Sequence, residues 1–173
     1  VMDADGRNVK LISEGFDRNI GNRCINCHRE TEVNAINWMR DGKGLYFQYD
    51  TEGMTKIASM SLSGKVKDIV DELGGLSLGR PYSGGSFTVS PSGRYAFTYG
   101  NVYNPADLAV GFNGSKERLT FLNKDLFDYK ELGRVEEVWY ESSYDGKRIQ
   151  GWLVYPPNFD PTTTYPLILE IHG

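Results

Sequence analysis

Long apolar runs are missing from this chain. No stretch approaches the roughly 20 consecutive apolar residues that a helix needs to cross a bilayer, so the sequence offers no transmembrane helix. Basic charge is also scarce. Nineteen Lys and Arg stand against 23 Asp and Glu, a formal net charge of −4, which leaves no electrostatic footprint for nucleic acid or an anionic lipid surface. The acidic residues are dispersed and read as a solvated surface. Only two cysteines are present, and two do not assign a redox compartment.

Aromatics and glycine are plentiful. The 173 residues include 11 Tyr, 8 Phe and 20 Gly, with 39% apolar and 24% charged residues. That balance is globular and favours short strands joined by tight turns. The chain opens on Val1 rather than Met, and Leu167-Ile168-Leu169-Glu170-Ile171-His172-Gly173 stops as a buried strand finishes. Domain ends normally lie in loosely held segments, so an internal piece of a longer protein is expected. No signal peptide is visible, which is uninformative without a true N-terminus.

One internal repeat organises the first two thirds. Residues 38–47, with Asp41-Gly42-Lys43 at a turn, align with residues 89–97, with Ser92-Gly93-Arg94 at the same place, 51 residues later. Each copy is a strand end, a tight turn with a basic residue after it, and a β-rich run. A period of 40–50 residues with several short strands per unit is the pattern of β-propeller blades. One such unit cannot bury both faces alone, so Trp38, Tyr46, Phe47, Phe87, Tyr95 and Phe97 are expected to pack against neighbouring units. Residues 1–12 read as the tail of one blade, about 33–70 as a second and about 86–121 as a third. Residues 65–73 fit a short helix or, through Val66, Ile69 and Val70, a strand edge.

The texture changes after Leu122. Residues 123–134 form a polar connector. Two alternating runs, 137–144 and 148–155, then flank Asp145-Gly146-Lys147, a strong hairpin signal. Residues 156–166 contain four prolines and have no ladder capacity. They deliver the short apolar run 167–171, typical of a strand buried on both faces.

At this junction the sequence resembles the prolyl oligopeptidase family of serine peptidases, closest to its acylaminoacyl-peptidase and dipeptidyl-peptidase branches. The resemblance rests on Ser143-Tyr144-Asp145-Gly146, Ile149-Gln150-Gly151-Trp152-Leu153, Tyr155-Pro156-Pro157, Phe159-Asp160-Pro161, Tyr165-Pro166-Leu167-Ile168-Leu169 and Ile171-His172-Gly173. It implies a propeller followed by an α/β-hydrolase domain with a Ser–Asp–His triad in that order, beyond residue 173. His172 and Gly173 match the start of that family's oxyanion loop. An oxyanion hole needs donors near 3 Å from the developing charge, and two loop residues do not supply one. The resemblance also implies peptide substrates and no cofactor. In the dipeptidyl branch a propeller carboxylate pair holds the substrate's amine. Asp71-Glu72 and Glu30 with Glu32 are the candidates here, though neither has a supporting context.

Three further signals need weighing. Gly75-Leu76-Ser77-Leu78-Gly79 matches the G-x-S-x-G nucleophile elbow, whose mechanism needs a strand before the serine and a helix after it. The order Ser77, Asp145, His172 is formally a triad order, but glycine-rich connection explains the segment. Cys24-Ile25-Asn26-Cys27-His28 matches the c-type haem attachment pattern, with Met39 as a conceivable distal ligand. Loop thiols, or a local disulfide that closes a tight loop, are the preferred reading, and zinc would lack a fourth ligand near by. Trp38 and Trp139 read as packing residues rather than ligand platforms.

The expected fold is therefore mainly β: partial β-propeller blades over 1–122, a connector over 123–134, and the first strands of an α/β-hydrolase domain over 135–173. The expected function is a fragment of a serine peptidase acting on short peptides or acyl-peptides through an acyl-enzyme, itself silent, with neither metal nor cofactor. The alternative is a stand-alone propeller-type module that binds protein or peptide without catalysis. Open sheet edges also lead to an expectation of self-association.

Overall fold

A computed structural model describes residues 1–21, 36–74 and 84–171. It is mainly β and divides into two units, residues 1–125 and 126–173.

The first unit is built from two antiparallel meanders of four strands. Strands β1 (Ile36–Trp38), β2 (Gly44–Thr51), β3 (Met54–Ser61) and β4 (Val66–Leu73) pair in chain order, as do β5 (Phe87–Val89), β6 (Tyr95–Asn101), β7 (Asn104–Phe112) and β8 (Ser115–Arg118). The repeat read in the sequence is a repeat of the structure: β5 begins 51 residues after β1, and β6 the same distance after β2. Local chemistry sets the turns. Glu52-Gly53 and Asn113-Gly114 each place two successive residues at positive φ (49° and 70°, 50° and 85°), the twist that closes a two-residue hairpin. At the β1–β2 and β5–β6 turns, Asp41 accepts the Lys43 amide at 3.0 Å and the Ser90 hydroxyl accepts the Arg94 amide at 3.1 Å.

Residues 66–73, which fit helix or strand by pattern, are strand. Two register shifts against β3 put Met60 opposite Val66 but Ile57 opposite Val70. These bulges rotate the strand, so Val66 packs with one core and Val70 with the other. The first core holds Ile57, Val70, Leu73, Phe87, Tyr95, Phe97 and Ala109 and lies between the meanders. The second holds Phe47, Tyr49, Ala58 and Met60 on the back of the first meander, covered by Ile12, Phe16 and Ile20. Phe16 meets Phe47 and Tyr49 edge-on, at 5.5 and 5.0 Å between centroids. Trp38 departs from its expected burial: on edge strand β1 it is 57% exposed. Residues 1–12, read from the sequence as the tail of one blade, hold no strand. They form a loop closed by reciprocal bonds between Val1 and Lys10 (2.7 and 2.8 Å).

The meanders join where β4 meets β6. Leu73 pairs with Tyr99, the Gly74 amide donates to the Thr98 carbonyl at 3.0 Å, and the Thr98 hydroxyl donates to the Gly74 carbonyl at 2.5 Å. A Cβ on Gly74 would lie 2.5 Å from the Gly100 Cα. Two backbones cross there with no room for a side chain.

In the second unit, β9 (Val135–Glu141) and β10 (Arg148–Val154) form the expected hairpin, in register from Arg148↔Glu141 to Val154↔Val135. Gly146, at φ 70°, closes its turn by donating to the Ser142 carbonyl at 2.9 Å. A short helical turn, α1 (Lys124–Phe127), falls within the expected connector. The apolar run 167–171, expected as a buried strand, is irregular, and Leu167, Ile168, Leu169 and Ile171 are 77–91% exposed. A two-stranded hairpin supplies no second layer to bury it.

Substitution at the crossing should therefore be costly. Gly74→Ala is expected to destabilise by about 1–3 kcal/mol through overpacking, and Phe97→Ala by about 3–5 kcal/mol through cavity formation. Tyr129→Ala, at a residue 87% exposed, should stay within about 0.5 kcal/mol of the starting chain. Urea unfolding of the three variants checks the order. The exposed run 167–171 should also drive association as concentration rises, visible by light scattering and diminished by Ile168→Asp.

Candidate functional site

Most residues singled out from the sequence fall outside the described residues: Ser77, Cys24, Cys27, His28, Glu30, Glu32, His172 and Gly173. Their flanks are informative for Ser77. Strand β4 ends before the segment that holds Ser77 and strand β5 begins after it, at Phe87. Met39 lies against Gly44, its sulfur 3.1 Å from where a Cβ would stand. Asp145 is a turn residue: its carboxylate accepts the Lys147 amide and pairs with the Lys147 ammonium at 2.9 Å. That ammonium first, then Ser142, holds its carboxyl below the ordinary range. Among the described residues no cluster of His, Cys, Asp and Glu could hold a metal ion.

The Asp71-Glu72 pair is brought together with a cation from the chain itself. Lys116 on β8 reaches Asp71 at 3.3 Å and contacts Glu72 more closely still. The other Glu72 oxygen accepts from the Tyr99 hydroxyl at 3.2 Å and the Asn101 amide at 3.1 Å. Burial works to raise the Glu72 carboxyl, but the Lys116, Asn101 and Tyr99 bonds outweigh it and the carboxyl titrates low. The pair is thus neutralised internally and ties β4, β6 and β8 together.

A second network is more deeply buried. Asp107 on β7 is 1% exposed. One oxygen accepts from the Thr120 hydroxyl at 2.8 Å and the Leu122 amide at 2.9 Å, and the other is ion-paired with the Arg118 guanidinium. Arg118 also donates to the Asn104 side chain at 2.9 Å and the Thr120 carbonyl at 3.0 Å, and lies over the Phe121 ring at 4.5 Å. Burial opposes ionisation of Asp107; the Leu122, Thr120 and Arg118 contacts overcome it and hold the carboxyl low. Sequence reading missed this network. A signal existed: Asp107 shares the core-facing alternation of Ala109 and Gly111.

A recess of about 300 Å³ is lined by Phe16, Asp17, Arg18, Asn19 and Asp50. Its charged groups are already engaged, Arg18 with Thr51 at 3.2 Å and Asp50 with Thr55 at 2.6 Å. In the hairpin, Glu137 accepts from the Trp139 indole at 2.7 Å and the Gln150 amide at 2.8 Å, and Arg148 covers the Trp139 ring at 4.5 Å. Trp139 is therefore occupied by its own neighbours. The Tyr155, Phe159 and Tyr165 rings meet in series, the first pair edge-on at 4.7 Å and the second tilted at 5.2 Å.

No protein-family model matches the chain. Curated relatives do. The "Uncharacterized peptidase YuxL" of Bacillus subtilis is 30% identical over 138 residues, covering 79% of this chain and 20% of that protein. Dipeptidyl-peptidase 5 of Porphyromonas gingivalis is 27% identical over 188 residues, covering 98% of this chain and 26% of the relative. Dipeptidyl-peptidase 5 of Aspergillus fumigatus is 26% identical over 177 residues, covering 99% and 23%. The chain thus spans a fifth to a quarter of the length of these relatives, and their names support a peptidase family.

The buried Asp107 gives a pH signature. Its carboxyl titrates lower in the folded chain than in the unfolded one, so its contribution is complete above the ordinary carboxylate range. It is lost as pH falls through the depressed folded value. Asp107→Asn is expected to cost about 3–5 kcal/mol near neutral pH, as for a broken buried pair, and to flatten the acid limb of the stability profile. An acid limb unchanged by Asp107→Asn in pH-dependent urea titrations would remove the assignment.

Proposed function

We propose that this chain is part of a serine peptidase of the prolyl oligopeptidase family, its two meanders neighbouring blades of a β-propeller and its last residues, from about 135, the opening of an α/β-hydrolase domain. The observation that carries this reading is the extent of the similarity. Alignment with proteins named dipeptidyl-peptidase 5 runs over 98–99% of the chain, through both the repeat and the junction sequence of residues 143–173. Two meanders of one topology, joined in one eight-stranded sheet through the β4–β6 pairing and sharing an aromatic core, support the propeller part. The β9–β10 hairpin, leading through a proline-rich loop to an apolar run, supports the hydrolase part.

On this reading the substrates are short peptides, cleaved through an acyl-enzyme on a serine supplied by other residues of the protein. His172 and Gly173 begin the loop whose amides stabilise the oxyanion. Ser77, between β4 and β5, is a linker residue rather than the nucleophile. The 173 residues act as roof and junction, and are catalytically silent.

The 173-residue chain is therefore expected neither to hydrolyse a dipeptidyl-nitroanilide nor to react with a fluorophosphonate, whereas the whole gene product should do both. Labelling of Ser77 would sink the assignment of silence. A whole gene product that binds peptides but resists the probe would leave a propeller-type binding module in its place.

A further inference from the structure

Four turns among the described residues carry glycine directly after aspartate or asparagine: Asp5-Gly6, Asp41-Gly42, Asn113-Gly114 and Asp145-Gly146, each glycine at positive φ. Three of these turns are tied down at both groups. The Gly6, Gly42 and Gly146 amides donate to the carbonyls of Asp3, Met39 and Ser142 at 2.9, 3.0 and 2.9 Å. The carboxylates are held as well. Asp5 accepts the Arg7 amide at 3.0 Å, Asp41 the Lys43 amide at 3.0 Å and Asp145 the Lys147 amide at 3.3 Å.

The fourth turn is different. Asn113-Gly114 is the one Asn-Gly pair of the chain, and it forms the tip of the β7–β8 hairpin, closed by Phe112 opposite Ser115. Among the described residues, neither the Gly114 amide nor the Asn113 side chain has a hydrogen-bond partner. Asn113 is exposed, and nothing lies within 4 Å of where a Gly114 Cβ would stand. The nitrogen beside the Asn113 side chain therefore faces water, with no bond to break and no side chain to shield it.

We infer that Asn113 is a site of spontaneous deamidation in the folded chain, and that its modification loosens β8. The Gly114 nitrogen loses its proton and attacks the Asn113 Cγ. The bond from Cγ to Nδ2 breaks, ammonia leaves with that proton, and a five-membered succinimide remains. Water then opens the ring at either carbonyl, giving aspartate or, through the side-chain link, isoaspartate. Either product adds one negative charge to a chain whose formal net charge is already −4. Isoaspartate also lengthens the main chain by a methylene inside a two-residue turn, and that turn sets the register of the hairpin. The strand behind it is only Ser115–Arg118, and two of its residues, Lys116 and Arg118, carry the bridges to Glu72 and Asp107. The inference stands on the turn geometry and does not need the peptidase reading.

The test ages the 173-residue chain and two variants in mildly alkaline buffer, follows acidic forms by ion exchange and maps isoaspartate in tryptic peptides. The starting chain should accumulate an acidic form whose isoaspartate derives from Asn113. Asn101 lies on the same tryptic peptide, its side-chain oxygen held by the Tyr103 and Asn104 amides at 3.0 Å, and should stay intact. Asp41→Asn creates a second Asn-Gly pair in a turn whose glycine amide is bonded. The introduced amide should deamidate at least about tenfold more slowly than Asn113, because hydrogen bonds have to break first. Asn113→Gly keeps a turn suited to positive φ and should abolish the acidic form. The separated isoaspartyl chain should exchange its β8 amides faster than the starting chain. Equal rates at the two Asn-Gly pairs, an acidic form that persists in Asn113→Gly, or unchanged β8 exchange in the isoaspartyl chain would each overturn the inference.

Discussion

The seating of one strand, used twice, is the constraint on which the first unit depends. β2 and β6 each place Phe and Tyr two residues apart, hence on one face of the sheet. Phe47 and Phe97 are each 1% exposed. To bury them, a strand needs a hairpin partner on either edge and a foreign layer over its face. β1 and β3, or β5 and β7, supply the edges. The layer comes from the chain just before: β4 for Phe97, residues 12–20 for Phe47. Each meander is therefore completed by what precedes it, as expected where no repeat buries both faces alone. The glycine crossing follows from this. An incoming strand reaches the edge of the next meander only if Gly74 and Gly100 present bare backbone to each other.

The charged networks reinforce the same geometry. Lys116 binds β8 to β4 across the aromatic layer, and Arg118 binds the end of β8 to Asp107 and to the segment that follows. Exposed ion pairs contribute little, but Asp107 is fully enclosed, and a carboxylate there without Arg118 and Thr120 would be far costlier than an apolar residue. These contacts specify how the last strand closes the second meander. They do so in a chain where that strand, Ser115–Arg118, is only four residues long and has little hydrophobic contact of its own to hold it.

Much of this was legible in advance, because the repeat, the turn residues and the alternation are local signals. The 51-residue offset located both central strands, and Asp145-Gly146 located the hairpin. What escaped depended on tertiary partners. The helix-or-strand ambiguity of residues 66–73 was resolved by pairing with β3, and the burial of Trp38 failed because β1 lies at an edge. Residues 167–171 carry the apolar composition of a buried strand, yet composition cannot provide the neighbouring strands that would bury them. Asp107 was passed over because a lone carboxylate in a strand reads as solvent-facing until Arg118 is seen against it. The nucleophile-elbow and haem-attachment patterns lie at residues 75–79 and 24–28, outside the described residues.

The titration shifts of the described residues share one direction. General acid–base catalysis needs groups drawn toward neutral pH: carboxylates raised, lysines lowered. Here the shifts run the other way. Asp107 and Glu72 are pushed down despite burial, Lys116 is pushed up, and burial pushes Tyr49, Tyr95 and Tyr99 up, away from ionisation. Each of these groups is driven deeper into the state it already holds at pH 7, the carboxylates and Lys116 by fixed partners and the tyrosines chiefly by burial. A peptide amine arriving at Asp71 and Glu72 would have to displace Lys116, whose hydrogen bonds to the pair already supply what the ligand would bring.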